Sequence, residues 1–259
     1  MTSGQLHGRT AIITGAAQGI GAGFTRSFAA QGCSLALVDR NPNVTTLADE
    51  VGGTAFVGDV ADASFVRATV DAVDAVDILV NNAGEVWPSG PRDPWDKALD
   101  DYDQLMGSNF RGAYLFGRAV APAMIDRGSG HIINVSSDHV KAAPETGWHH
   151  GHGAMDLYNA SKWALNGLTF DWAAALRKHG IRVNGLCMGA TDTEMLRGWL
   201  PADPDPDYLA TWMTPDEIAQ VALDLIAEGP TGRTGDNIAL WAGQPTVLPP
   251  LDEGAPREP

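Results

Sequence analysis

Thr14-Gly15-Ala16-Ala17-Gln18-Gly19-Ile20-Gly21 joins the apolar run Thr10–Thr14 to a helix-patterned stretch over Ile20–Gln31. Small residues let a chain turn sharply and bring backbone amides close to a pyrophosphate. The N-terminus of the following helix adds about half a positive charge aimed at the same place. Position gives this glycine pattern its weight, because it sits between a first strand and a first helix.

Outward from this loop, short apolar runs alternate with helix-sized segments. The strand-like runs are Thr10–Thr14, Ser34–Asp39, Thr54–Gly58, Asp77–Asn81, His131–Val135, Ile181–Leu186 and Asn237–Trp241. The helical segments are Ile20–Gln31, Ala63–Val73, Ala98–Arg127, Met155–His179 and Pro215–Glu228, with Val44–Val51 a short helix at best. Such alternation predicts βαβ units with right-handed crossovers. The expected fold is α/β: a doubly wound Rossmann fold, one seven-stranded, mainly parallel sheet with helices on both faces. The 259 residues read as one dinucleotide-binding catalytic domain, its core about 6–243, with a proline-rich tail over 244–259.

The second strand-like run ends at Asp39, 18 residues after Gly21. A carboxylate there can accept hydrogen bonds from both adenosine ribose hydroxyls and would repel a 2′-phosphate, which favours NAD over NADP. Arg40, its neighbour, offers a cation to a 2′-phosphate if Asp39 turns away, so NADP remains the second choice.

A net charge of -15 argues against a nucleic-acid partner, which needs a basic face. The sequence shows no basic leader followed by an apolar run and no apolar stretch of membrane-spanning length. A cytoplasmic protein with no membrane partner is therefore expected. Cys33 and Cys187 both sit in apolar stretches and read as reduced, packed thiols.

Further along stand Asn81-Asn82-Ala83-Gly84, Asn109, Asn134-Val135-Ser136-Ser137 and Tyr158-Asn159-Ala160-Ser161-Lys162. With the TGxxxGxG of Thr14–Gly21, this ordered set resembles the short-chain dehydrogenase/reductase family in its compact single-domain branch. The resemblance covers about residues 6–243. It implies that Gly15, Gly19 and Gly21, with Gln18 and Ile20, cradle the pyrophosphate. Asp59 and Val60 would flank the adenine, and Asn82 and Gly84 would line the adenosine side. Thr193 would bind the nicotinamide carboxamide. Ser137, Tyr158 and Lys162 would carry the chemistry, and Asn109 would hold a water in a proton relay. Two features depart from the family pattern. Met188-Gly189 stands where Pro-Gly is usual, and Ser137 precedes Tyr158 by 21 residues rather than about a dozen. The extra length falls over Asp138–Asp156 and reads as an insertion beside the pocket. The second serine, Ser137, is preferred over Ser136 because the family uses that position.

The chemistry explains the residue types. Tyr158 and Lys162 are four apart in a helical pattern, so they share a face. Alone, each reads as an ordinary helix residue, Tyr158 packed and Lys162 solvated. A free tyrosine titrates near pH ~10, too high for a base at neutral pH. A neighbouring ammonium favours the phenolate and would lower that value. A tuned phenol can take an alcohol proton while hydride leaves carbon, or return it to a ketone. Ser137 would hydrogen-bond the substrate oxygen as charge develops.

The expected activity is hydride transfer between NAD(H) and a secondary alcohol or ketone. Trp87, Trp148, Trp199 and Trp212, with Met155 and Met195, fall on loops that should follow strand ends, where sites lie in open parallel sheets. They suggest a bulky cyclic, terpenoid or aryl substrate; Trp87, Trp148, His150, Met155 and Trp199 are the candidate contacts. The segment Trp148-His149-His150-Gly151-His152 invites a metal, but no fourth ligand is evident, and a pocket wall or lid is preferred. Sugar or polyol dehydrogenase and acyl-carrier ketoreductase are the alternatives on this scaffold. The ketoreductase is disfavoured by the acidic charge and by Asp39. A non-catalytic nucleotide-binding regulator is the alternative of another class, against which both Tyr158 and Lys162 stand. Family members are commonly tetramers, so a homotetramer is expected, with Ala98–Arg127 and Met155–His179 as its seam.

Overall fold

Neighbouring residues of each strand go to opposite faces of one sheet, and both faces are covered. In a computed structural model describing residues 4–140 and 154–241, the strands are β1 (Thr10–Thr14), β2 (Ser34–Asp39), β3 (Thr54–Val57), β4 (Ile78–Asn81), β5 (Gly130–Val135), β6 (Ile181–Met188) and β7 (Asn237–Leu240). Ile13, Val80 and Ile133 face one core, and Ile12, Leu79 and Ile132 the other. A strand with two buried faces is apolar throughout, which explains why these runs are continuous rather than alternating. The sheet is wholly parallel in the order β3-β2-β1-β4-β5-β6-β7. The strand order reverses between β1 and β4, which opens a crevice at their carboxyl ends.

On the first face lie α1 (Gly19–Ala30) and α9 (Pro215–Ala227), packed through Phe24, Phe28, Ile218 and Leu225. Thr214 and Glu217 form a capping box, with Pro215 as the first helical residue, and this fixes where α9 begins. The second face is covered by α5 (Gly112–Arg127) and α6 (Asp156–Leu176) through Phe116, Val120, Met124, Ala173 and Leu176. Shorter helices are α2 (Val44–Val51), α3 (Ala63–Asp71), α4 (Trp95–Met106), α7 (Glu194–Arg197) and α8 (Pro206–Leu209).

The segment expected as one helix over Ala98–Arg127 is interrupted. A π-helical turn, Gly107–Arg111, separates α4 from α5 and carries Asn109. One extra residue per turn rotates the following helix without changing its apolar character, so periodicity does not reveal it. Among the described residues no helix is long and apolar enough to cross a membrane.

Candidate active site

A cleft of about 630 Å³ runs along the carboxyl ends of the strands from the β1–β4 crevice. Gly15, Gln18, Gly19 and Ile20 lie at one end, and Asp39, Asp59, Val60 and Asn82 also line the cleft; Gly84, expected on the adenosine side, instead lies against Lys162, whose Nζ would be 3.4 Å from a Cβ there. Gly15 has φ +65°, and a Cβ there would lie 2.8 Å from the Ala83 Cα. Gly21 is not on the cleft wall. A Cβ on it would lie 1.9 Å from the Gly15 carbonyl oxygen, so its bare backbone lets α1 close against the loop. Side chains stitch the loop to β4. Asn82 Nδ2 donates to the carbonyls of Thr14 and Gly15, both at 3.0 Å, and Thr14 Oγ1 accepts from the Asn82 and Ala83 amides. The Asp39 carboxylate accepts from Ala17 N at 2.9 Å and Asn41 N at 2.8 Å, which holds it over the loop.

At the other end Ser137, just beyond β5, meets Tyr158 and Lys162 on α6. Ser137 Oγ donates to Asp138 Oδ1 at 3.2 Å and accepts from His139 N at 3.2 Å. Lys162 Nζ donates to the Val135 carbonyl at 3.0 Å and lies 5.7 Å from the Tyr158 ring centroid. The His139 ring stands edge-on to Tyr158, centroids 5.5 Å apart.

The electrostatics differ from the expectation that the lysine lowers the phenol. Burial pushes Tyr158 up to about 12; the Ser137 side chain offsets part of this and the Asp138 charge adds to it. Burial likewise pushes Lys162 down to about 8. Lys162 is buried and Tyr158 half-buried, and desolvation disfavours the charged form of each. The phenol therefore holds its proton at neutral pH, ready to give it.

Other expected residues divide. Thr193 lines the cleft, accepting from Leu196 N at 3.4 Å as the cap of α7. It lies so close to the loop that a Cβ on Gly19 would sit 3.1 Å from its methyl. Met155, Met195 and Trp199 also line the cleft. Trp87 is corrected: it is off the cleft wall, its indole N–H donating to Asp101 Oδ1 at 2.9 Å on α4. Trp212 is likewise turned inward, buried against Tyr208. Trp148 and His150, with the rest of the histidine segment, lie outside the described residues. The Asn109 side chain is engaged by protein. Its amide oxygen accepts from Glu85 N at 2.7 Å and Ser108 Oγ at 2.8 Å, and its amide nitrogen donates to Glu85 O at 2.9 Å and Ser161 Oγ at 3.1 Å. Every polar position on the side chain is used by protein, so Asn109 fixes Glu85 and α6 in place.

Sequence reasoning missed several lining residues: Glu85, Val86, Asp138, His139 and Leu196. Adjacency to Gly84 and Ser137 was the available signal for two of them, Glu85 and Asp138. Arg40 forms an ion pair with Glu85, and both border the cleft.

Comparison with known proteins adds a family-level finding. The family described as short chain dehydrogenase matches residues 9–203. The oxidoreductase UcpA of Escherichia coli (strain K12) is 38% identical over 264 residues, covering 93% of this chain and 95% of that protein. A gluconate 5-dehydrogenase from Burkholderia cenocepacia J2315, solved with NADP and tartrate, is 33% identical with a TM-score of 0.77, over 90% of this chain and 94% of that one. A 3-ketoacyl-(acyl-carrier-protein) reductase from Brucella melitensis, complexed with NADH, is 28% identical with a TM-score of 0.78, over 92% and 98%.

Proposed function

The chain belongs to the short-chain dehydrogenase/reductase family of oxidoreductases, and on that premise we propose that it interconverts a secondary alcohol and its ketone with NAD(H) as cofactor. One observation carries this reading: Ser137, Tyr158 and Lys162 converge in the same cleft whose far end is the glycine loop.

The described residues fit a nicotinamide dinucleotide. Glycine backbone faces the cleft at the N-terminus of α1, where an anionic diphosphate is favoured. Asp39 borders the cleft where the adenosine ribose would lie, and its charge favours NAD over NADP. When bound, the dinucleotide supplies the hydride acceptor or donor. The protein's part is to place and move a proton. In reduction, the Tyr158 phenol gives its proton to the ketone oxygen while Ser137 steadies that oxygen. In oxidation, the phenolate oxygen accepts the alcohol proton. Lys162, buried beside the ring, favours that phenolate when protonated.

Met155, Met188, Met195, Leu196 and Trp199 give the cleft an apolar lining. This supports a bulky cyclic, terpenoid or aryl alcohol. A polyol or sugar acid is the second reading, favoured by Asp138 and His139 beside Ser137 and by the resemblance to gluconate 5-dehydrogenase. The aromatic and aliphatic face of α4, α5 and α6, with Trp95, Leu99, Tyr102, Tyr114, Trp163 and Phe170 exposed, supports a homotetramer. The deciding experiment supplies NAD⁺ or NADP⁺ with cyclic, aromatic and polyol substrates and follows absorbance of the reduced ring. Turnover of cyclic or aryl alcohols with NAD⁺ is expected; a clear preference for polyols overturns the substrate class, and no turnover of any alcohol overturns the reaction.

A further inference from the structure

We propose that Glu85 sets nucleotide choice in this cleft by holding Arg40 away from any 2′-phosphate. The proposal rests on reading the cleft as a dinucleotide site and assigns that site a specificity residue.

Arg40 follows Asp39 at the end of β2, and Glu85 follows Gly84 in the turn after β4. β2 and β4 flank β1, so the ion pair spans the carboxyl end of β1, above the glycine loop. The two partners are unequal. The Arg40 side chain is 68% exposed, whereas that of Glu85 is 20% exposed. Glu85 is also pinned: Asn109 grips its amide and its carbonyl, and the π-helical turn and Ser161 hold Asn109 in turn. The backbone that carries the carboxylate is thus fixed, and the carboxylate is the less exposed of the two partners.

Asp39 is equally constrained. It cannot turn aside without releasing both the Ala17 and Asn41 amides. Two carboxylates and one guanidinium thus border the cleft at the carboxyl ends of β2 and β4, where the adenosine ribose would lie on this reading. A 2′-phosphate would add about two further negative charges there. Arginine is well suited to bind such a group, because its planar fork matches phosphate oxygens. To do so here it must leave Glu85, and a mostly buried carboxylate is then unpaired beside a new anion, which is costly. A ribose that carries only hydroxyls asks for no such exchange. An ion pair between two exposed groups would exert little hold; burial and pinning of one partner make this one selective.

Glu85→Gln keeps the shape and the acceptor oxygen while removing the charge. The test is calorimetric titration of the full chain with adenosine 5′-phosphate and adenosine 2′,5′-bisphosphate, which needs no turnover. The unaltered protein is expected to favour the monophosphate. E85Q should bind the bisphosphate about tenfold more tightly, with monophosphate affinity changed by less than about twofold. Adding Arg40→Ala should abolish the gain. If E85Q shifts both ligands equally, or if the gain survives R40A, Glu85 is only a structural residue and the proposal fails. If the unaltered protein binds neither ligand, the dinucleotide reading of the cleft fails and this proposal with it.

Discussion

The two edges of the sheet bury titratable groups to opposite ends. At the carboxyl edge, buried Lys162 and half-buried Tyr158 border the cleft. At the amino edge, His131 of β5 and Arg182 of β6 are buried with Glu228 and Arg233, and none of them borders it. Arg182 donates to the carbonyls of Leu225 and Ile226 at 2.8 and 3.3 Å, which closes the C-terminal end of α9. Glu228 accepts from Arg233 Nε at 2.6 Å and Arg233 N at 2.8 Å, and lies 3.7 Å from Arg182. These donors and acceptors are turned onto the fold itself. Burial of a charge is therefore not the mark of a reactive site; burial against an open cleft is.

The sharpest way to break this comparison is to exchange single groups at each edge. Tyr158→Phe removes one oxygen at the carboxyl edge. Turnover should fall about 10³-fold while nucleotide affinity changes little, because proton transfer by a placed side chain contributes at this scale. Steady-state kinetics beside nucleotide titration checks it, and retained turnover would remove Tyr158 from the reaction. Glu228→Gln does the converse at the amino edge. It leaves Arg182 and Arg233 buried without their counter-charge, and unfolding stability should drop by about 3 kcal/mol. Denaturant unfolding measures the loss. Nucleotide affinity should stay as it was; a fall in affinity without a fall in stability would show that the edges are not separate.

The same contrast explains what was legible in the sequence. Backbone-built features could be read, because glycine spacing and apolar runs are local: the Thr14–Gly21 loop, Asp39 at the end of β2, and all seven strands. Ser137, Tyr158 and Lys162 were singled out by their order along the chain, and the structure brings them together. Features fixed by tertiary contact were not legible. Trp87 lies on the right loop, but only the placement of Asp101 turns it away. Arg40 and Glu85 stand 45 positions apart, and no local pattern pairs them. The π-helical turn at Asn109 is hidden within an unbroken helical periodicity. The rise of the Tyr158 phenol comes from burial, which spacing cannot report.

His131 offers the smallest effect and the finest test of the amino edge. Its Nε2 lies 3.0 Å from Asn184 Nδ2 and so accepts, which leaves the ring neutral. Burial foremost, then the Arg182 and Arg9 charges, holds it well below its usual 6.5. The folded protein thus leaves this ring unprotonated at a pH where the unfolded chain protonates it. Below pH 6.5 the unfolded state binds more protons, so stability falls as the pH is lowered, by at most about 1.4 kcal/mol per pH unit from this one group. Above that value the ring contributes no slope. Denaturant unfolding at a series of pH values from neutral to mildly acidic should show the bend. His131→Gln can still accept from Asn184 but cannot be protonated, so it should lower the neutral plateau and flatten the acid slope. If the slope persists in H131Q, other groups carry it, and the amino edge is less closed to protons than its hydrogen bonds imply.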